Sequence, residues 1–267
     1  METIIDTKIT EKTMDENQKE NENKNEIEQV RAELAFLREH FNEELEQQKL
    51  DALAEFAAGA GHEINNPLAI ISGHAQLLLR EIENAEYRRQ LSVIMAQVKR
   101  AYEMIADIRY FARPPKPEIE KFDLVKWLRS LAEEQIPFMR ESGIELYFDT
   151  DFGSVNIETD PVQLRLAVTA LCNNARDILQ TTGGNIWLQL QQVENGWEIS
   201  VEDDGLGVAQ EIRSLIFCPY YSGRQAGRGL GFGLPKAWRI MQQLGGSIKY
   251  EQSKNGGAKF VLVIKNT

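Results

Sequence analysis

The feature that most constrains this fold is a narrow apolar stripe at helical spacing in residues 27–41. Its apolar residues alternate at intervals of three and four, with Glu, Gln and Arg between them: Ile27, Val30, Leu34, Leu37 and Phe41. That spacing is typical of a coiled-coil seam, which needs a second helix to cover it. We therefore predict a coiled coil over residues 26–50.

The seam is interrupted after Phe41. The next apolar residue, Leu45, comes one position late, and Lys49 follows on the same stripe. Such a break resembles a stutter, which locally changes the supercoiling of a coiled coil. Two interpretations remain open: a plain dimerisation helix, or a flexible point through which a signal passes.

Residues 51–112 contain two further helical stripes. The first comprises Leu53, Ala57, Ala60, Ile64, Leu68, Ile71, Ala75 and Leu78, and the second comprises Leu91, Ile94, Val98, Ala101, Ile105 and Ile108. We expect the first helix to end near Glu83-Asn84 and the second to stop before Pro114. Two such helices form a hairpin that holds only half a core, so we predict a homodimer in which two hairpins build a four-helix bundle.

The remaining segments differ in composition. Residues 1–25 are rich in Glu, Asn, Lys and Thr, which predicts disorder. Residues 113–120 contain three prolines and should form an extended, semi-rigid linker. Residues 121–267 mix helical segments with adjacent strands, which indicates an α+β domain with helices layered on one sheet face. Within it, Asp160-Pro161 predicts the start of a helix that runs to about Leu179.

Charge and cysteine content narrow the class of protein. A formal net charge of -11 argues against a broad nucleic-acid-binding surface. The two cysteines, Cys172 and Cys218, suit a reducing cytosol, and we expect both to be buried. No apolar stretch approaches the length of a membrane span, and the N-terminus lacks the plan of a signal peptide. We therefore expect a cytoplasmic protein without a membrane span.

Of the three histidines, His62 is the one whose neighbours favour a reactive imidazole. It falls between two stripe positions and should face solvent. Pro67, inside the predicted helix, removes a backbone donor and clashes with the carbonyl of Glu63, which would loosen the turn that carries His62. Glu63 could hydrogen bond to one ring nitrogen and leave the other as a nucleophile. The alternative is an ordinary surface histidine, as we interpret His40 and His74.

Two polar residues fall where apolar side chains are expected. Asn174 lies on the apolar stripe of its predicted helix, and strand alternation places Asp203 on the same face as Ile199 and Val201. Buried polar groups need either internal hydrogen bonds or a ligand, and both explanations are open. The segment after Asp203 contains glycines that would let a flat ligand approach the backbone.

A glycine-rich loop comes before the last predicted helix. Gly229, Gly231 and Gly233 alternate there, and such a loop presents backbone amides and a helix terminus to phosphates. The spacing could be mistaken for a dinucleotide fingerprint, but no βαβ unit surrounds it. Arg224, which precedes these glycines, either meets phosphate oxygens or is a solvated loop charge.

These segments resemble five sequence boxes of bacterial two-component histidine kinases, and the resemblance covers residues 50–265. The boxes are the phosphoacceptor box (Gly61–Pro67), the asparagine box (Leu171–Asp177), the first glycine box (Val201–Gly207), the phenylalanine box (Ile216–Arg224) and the second glycine box (Gly229–Leu234, with Gly245-Gly246). The implied fold is α plus α+β: a coiled coil, a dimeric four-helix bundle, and an ATP-binding α/β sandwich of the Bergerat type.

The resemblance also implies roles in the helical hairpin. His62 would accept a phosphoryl group, and Glu63 would assist as a hydrogen-bonding partner or base. The phosphoryl group would pass to an aspartate on the receiver domain of a response regulator. In bifunctional members of the family, residues matching Glu63 and Asn66 also support removal of phosphate from that partner.

In the C-terminal domain the resemblance implies ATP and Mg²⁺ as cofactors. Asn174 would hold Mg²⁺, and Asp203 would accept a hydrogen bond from the adenine amino group. Glycines would shape the adenine pocket and, with a cationic residue, the ATP lid: Gly205, Gly207, Arg224, Gly229, Gly231 and Gly233.

The sequence departs from the family pattern at four positions. Ala170 stands where a second asparagine is common, which leaves a secondary metal or water contact open. Arg224 replaces the usual lysine and keeps its charge, Leu244 replaces a histidine, and Phe232 replaces a leucine.

Three rival functions remain: a response-regulator phosphatase of the same fold, a catalytically silent dimeric scaffold, and a chaperone- or gyrase-like ATPase. The last usually needs a general-base carboxylate that Ala170 does not supply. No sizeable input domain precedes the predicted coiled coil, so sensing would need a separate partner protein, the N-terminal helix, or sequence beyond this chain.

Overall fold

The computed structural model describes residues 2–219, 221 and 231–265, which belong to two compact units, residues 1–52 and 53–267. The N-terminal unit is part of helix α1, which spans Glu2–Glu81. The structure thus differs from the prediction of disorder for residues 1–25, because residues 2–25 are helical. This segment contains no Gly or Pro, and its five Glu and four Lys residues favour helix, so a helix formed downstream extends through it readily.

The predicted coiled-coil seam lies on this unit. The seam residues whose side chains the structure describes are exposed in the single chain: Leu34, Leu37, Phe41 and Leu45. A coiled-coil seam is exposed in a single chain because the second helix that would cover it is absent. The coiled coil itself stays a prediction.

The second unit begins with a helical hairpin formed by the rest of α1 and by helix α2 (Ala85–Ala112). Asn84 caps α2, since its Oδ1 accepts hydrogen bonds from the backbone N–H groups of Glu86 and Tyr87 at 3.0 and 3.2 Å. Helix α1 ends at Glu81, slightly before the predicted boundary. The reason is that Asn84 serves the next helix as its cap, so the connection needs residues 82–84.

The two hairpin helices touch beside the phosphoacceptor box. Gly61 is buried against Ile105, where an added Cβ would lie 3.1 Å from Cγ2. Tyr102 donates a hydrogen bond from its hydroxyl to the carbonyl oxygen of Asn65 at 3.1 Å. Apolar residues elsewhere on the hairpin remain exposed in the single chain: Ile64, Ile70, Ile71, Leu77, Leu78, Val93 and Ile94. One hairpin therefore leaves much of its apolar surface uncovered.

The segment predicted as a semi-rigid linker, residues 113–120, is anchored at two points. The carbonyl oxygen of Pro115 accepts hydrogen bonds from the side-chain amides of Gln163 at 3.0 Å and Gln243 at 2.6 Å. The backbone N–H of Glu118 donates to Asp160 Oδ2 at 2.8 Å. These contacts tie the segment to the C-terminal domain, so any hinge between the hairpin and that domain lies before Pro115.

The C-terminal domain mixes helices with adjacent strands, as its sequence predicts. Its helices are α3 (Leu124–Arg140), α4 (Pro161–Leu179) and α5 (Gly233–Gln243); its strands are β1 (Glu120–Asp123), β2 (Ile144–Asp149), β3 (Asn156–Thr159), β4 (Gly184–Val193), β5 (Gly196–Asp203), β6 (Ser247–Gln252) and β7 (Ala258–Lys265). A short 3₁₀ turn covers Gln210–Ile212. Strand β1 was not predicted, because only its pairing with β3 makes it a strand.

Five strands form a mixed sheet in the order β2-β4-β5-β7-β6. Only the β2–β4 pair is parallel; the other three pairs are antiparallel. Strands β4 and β5 present alternate apolar residues to one face, and α3, α4 and α5 bury theirs against it in a single core. The predicted cap of α4 is present, as Asp160 Oδ1 accepts from the N–H groups of Val162 and Gln163 at 2.8 and 2.9 Å.

Among the described residues no helix combines the length and apolar character of a membrane span. Both cysteines are free. Cys172 is buried as expected, and burial raises the pKa of its thiol to about 12. The prediction for Cys218 was wrong: it is exposed, because it lies in an irregular segment rather than on a core-facing helix or strand.

Candidate functional site

The candidate phosphoacceptor region lies on an exposed face of α1. His62, Glu63 and Asn66 are all exposed in the single chain. Pro67 lies inside α1, which continues through it. Its missing N–H leaves the carbonyl of Glu63 without the usual helical donor. The imidazole of His62 is therefore accessible, on a turn whose hydrogen bonding is incomplete.

A separate cavity of about 800 Å³ lies within the second unit. It is walled by α2, α4, the end of β5 and the start of α5. The sequence-predicted residues that line it are Asn174, Asp203, Gly207, Gly231 and Gly233. The structure thus brings together residues from three separate sequence boxes. His62, Glu63 and Asn66 are not among the cavity-lining residues, so the two parts of the candidate site are distinct in this arrangement.

Asp203 is held rigidly at the end of β5. It is 2% exposed, and its Oδ1 accepts hydrogen bonds from the backbone N–H groups of Gly205 at 2.9 Å and Ala258 at 3.2 Å. Burial raises the pKa of this carboxyl, although the two backbone hydrogen bonds act in the opposite direction. No donor in the described part of the chain hydrogen bonds to Oδ2. One carboxylate oxygen is thus fixed by the protein, and the other is available to a ligand.

Two glycines shape the backbone beside Asp203. Gly207 lines the cavity and has φ of 68°, a left-handed conformation that favours glycine. Gly205 does not line the cavity. It packs against α4, where an added Cβ would lie 2.6 Å from Cγ2 of Ile178. Its role is therefore to let the loop pass close to α4 while its N–H holds Asp203.

Helix α5 begins at the cavity. Gly231, with φ of 71°, precedes it, and Gly233 is its first residue. Phe232 at the N-cap position provides no side-chain cap, and the first turn contains no acidic residue. The free amides and the positive end of the helix dipole therefore face the cavity, which favours an anion such as phosphate. Arg224 and Gly229 lie outside the described residues.

Asn174 lies on α4 and lines the cavity, near Asn173 and Asp177. No group of three His, Cys, Asp or Glu side chains suited to a metal ion occurs among residues 2–219, 221 and 231–265. Mg²⁺ does not require such a cage, because it usually binds one or two protein oxygens together with waters and phosphates. An amide oxygen at Asn174 fits that donor set if a phosphate supplies further ligands.

Sequence reasoning missed the wall that α2 contributes. Lys236, in the first turn of α5, forms an ion pair with Asp107 of α2. The rings of Phe111 and Phe232 meet edge to face with centroids 5.7 Å apart. Five α2 residues follow three-four spacing on one face of the helix: Gln97, Arg100, Met104, Asp107 and Phe111. The first four line the cavity and Phe111 contacts Phe232, so this spacing could have indicated the wall.

Comparisons with known proteins agree with this division into hairpin and cavity. Residues 52–116 match the family described as the His Kinase A (phospho-acceptor) domain. Residues 159–267 match the histidine kinase-, DNA gyrase B-, and HSP90-like ATPases. These two matches define the class of protein: a phosphoacceptor hairpin followed by a GHKL-type ATPase domain.

Relatives among whole proteins narrow the class. The chain is 31% identical to the sensor protein kinase PilS of Pseudomonas aeruginosa over 223 residues, which is 82% of this chain and 42% of PilS. It thus spans less than half the length of that relative. The solved structure of full-length ShkA in complex with AMPPNP is 26% identical, with a TM-score of 0.67 over 80% of this chain and 46% of ShkA.

A second solved structure supports the fold alone. Histidine kinase ThkA in complex with the response regulator TrrA is 23% identical, with a TM-score of 0.60 over 82% of this chain and 64% of that one. From the family matches and relatives together, the chain belongs to the bacterial two-component sensor histidine kinases.

Proposed function

We propose that the chain is an ATP-dependent protein-histidine kinase that phosphorylates His62 and passes the phosphoryl group to an aspartate of a response regulator. The observation that carries the proposal is the combination of an exposed imidazole in a phospho-acceptor domain with a cavity built around Asp203. The first provides an accessible nucleophile, and the second provides a pocket with a free carboxylate oxygen.

Residues at the two ends of the cavity suit the adenine and the phosphates of ATP. The free Oδ2 of Asp203 would accept a hydrogen bond from the adenine amino group, and Gly207 would admit the flat base. The N-terminus of α5 would face the phosphates. Asn174 would hold Mg²⁺, which neutralises phosphate charge when bound. Gly229, Gly231, Gly233 and Arg224 are assigned to the ATP lid by family resemblance.

The proposed reaction is an in-line displacement at the γ-phosphorus. One imidazole nitrogen of His62 forms a bond to phosphorus while the bond to the β–γ bridging oxygen breaks and ADP leaves. The N–H proton of the other ring nitrogen passes to Glu63 or water, so that phosphohistidine remains neutral at the ring. Because His62 does not line the cavity in this chain, transfer requires the domain to move or the partner's histidine to approach.

Two finer assignments belong to the proposal. The exposed apolar residues of the hairpin favour a homodimeric four-helix bundle. Use of ATP and two free cysteines favour a cytoplasmic location. Dephosphorylation of the regulator, with Glu63 and Asn66 taking part, is a second activity that the family resemblance allows, and loss of phosphate from a labelled regulator would measure it.

The direct test is phosphorylation of the full chain with γ-labelled ATP. We expect His62→Gln to abolish label incorporation, because glutamine cannot act as the nucleophile. His74→Gln, another histidine on α1, is the matched control and should incorporate label normally. Acid-labile, alkali-stable label would identify phosphohistidine. Label that persists in His62→Gln would overturn the assignment.

A further inference from the structure

The α2 wall of the cavity contains both acidic and basic side chains, and their proposed role below rests on the proposed function. Helix α2 belongs to the hairpin, yet its residues Arg100, Glu103, Met104 and Asp107 line the cavity with the nucleotide-domain residues. A ligand in this cavity would therefore touch both domains at once.

Most cations described around the cavity already have an acidic partner. Lys236 is paired with Asp107. Arg176 lies 3.5 Å from the carboxylate of Asp177. In the described chain, Arg100 is the cavity-lining cation for which no ion pair or hydrogen bond is present. A guanidinium in that position can offer its donors to a ligand without first breaking a contact.

The position of Arg100 along α2 suits the phosphate end of the cavity. It precedes Asp107 by seven residues, about two helical turns, so the two residues share a face about 10 Å apart. Asp107 contacts Lys236 in the first turn of α5, where the free amides lie. The same stretch of α2 packs beside the phosphoacceptor box through Tyr102 and the carbonyl of Asn65. The level of the phosphoacceptor box thus lies between Arg100 and Asp107 along α2.

We infer that Arg100 binds the phosphate groups of ATP held in the cavity, so that the hairpin itself positions the nucleotide. Guanidinium and phosphate form strong, charge-assisted hydrogen bonds with well-defined geometry. Arg100 would act as a positioning residue that recognises phosphates and contributes nothing to adenine. The contact also couples nucleotide binding to docking of the C-terminal domain on α2, because each then favours the other.

The test compares ATP with adenosine on the full chain, by competition against a fluorescent ATP analogue. We expect Arg100→Gln to weaken ATP binding about tenfold, the size of one hydrogen bond to a charged group. Adenosine binding should change less than about twofold, because adenosine carries no phosphate. Arg100→Lys keeps a cation and should restore most of the ATP affinity. In kinetics, KM for ATP should rise more than kcat falls.

Arg89→Gln is the control, because it makes the same substitution on α2 at an exposed residue outside the cavity. It should bind both ligands like the wild type. Equal weakening of ATP and adenosine by Arg100→Gln, or no weakening of either, would overturn the inference while leaving the proposed function intact. A wild-type chain that binds no ATP would overturn both.

Discussion

The hairpin and the nucleotide cavity hold their candidate functional residues in opposite ways. Asp203 is buried at the end of a central strand, with one carboxylate oxygen fixed by two backbone N–H groups. His62, Glu63 and Asn66 are exposed on α1, and no hydrogen bond to another side chain in the described part of the molecule fixes them. One region is organised in advance for a ligand, and the other leaves its reactive group open.

The difference suits the two tasks that the proposed function assigns to these regions. A nucleotide pocket gains affinity when its polar groups are oriented before binding, because less ordering is needed on association. A phosphoacceptor must meet two large partners in turn, the nucleotide domain and a receiver domain. Steric access then matters more than burial, and a helix surface provides it.

The largest expected effect that tests the contrast between the buried core and the exposed hairpin is on the free energy of unfolding. Leu171 of α4 is fully buried in the C-terminal core, so Leu171→Ala should lower the free energy of unfolding by about 2–5 kcal/mol. Ile71→Ala on the exposed hairpin stripe should have a small effect in dilute protein and a larger one as concentration rises, since dimerisation would bury it. Chemical denaturation at two protein concentrations measures both. Equal, concentration-independent losses would contradict the contrast.

The next effect separates binding from stability at Asp203. Asn at position 203 keeps an Oδ1 for the two backbone donors. Its NH₂ group, however, replaces the Oδ2 that would accept the hydrogen bond from the adenine amino group. ATP binding should weaken by about 2 kcal/mol, roughly thirtyfold, because a donor would face the adenine amino group. Titration calorimetry with wild type and Asp203→Asn measures this change, and unchanged affinity would remove Asp203 from the adenine pocket.

The same variant should fold more stably without nucleotide at neutral pH. Burial raises the pKa of Asp203 in the folded chain, so its stabilising contribution is complete below the unfolded pKa and is lost as pH rises through the folded value. Asn does not ionise and avoids that loss. Thermal unfolding should therefore show an advantage for Asp203→Asn at pH 7 that disappears below the unfolded pKa. A constant difference across pH would contradict the assigned cause.

The smallest effect concerns the hairpin beside the phosphoacceptor box. Tyr102→Phe removes the hydrogen bond from Tyr102 to the carbonyl of Asn65 and leaves the ring in place. We expect a loss of about 1 kcal/mol in unfolding free energy, typical of one partly exposed hydrogen bond. Urea denaturation measures it, with Tyr87→Phe as an exposed control on the same helix. A loss equal to that of the control would show that the bond is unimportant for stability.

Much of this fold was predictable because local patterns determined it. The two hairpin stripes, the Asp160 cap of α4 and the alternation in β5 that carries Asp203 each depend on neighbouring residues in sequence. The helical structure of residues 2–25 and strand β1 were not predicted. The first depends on extension of a helix formed elsewhere, and the second on pairing with β3.

The sequence by itself determined which functional groups the candidate site contains. These are an imidazole beside a carboxylate, an amide and an acid on apolar faces, and glycines before a helix. Only the tertiary structure decided that α2 closes the cavity, that Lys236 pairs with Asp107, and that Arg100 is left to face the ligand space. The physical reason is that a side chain's partners across a domain boundary depend on how two surfaces dock. Helical and strand periodicity specify a face of each element but not the surface that meets it.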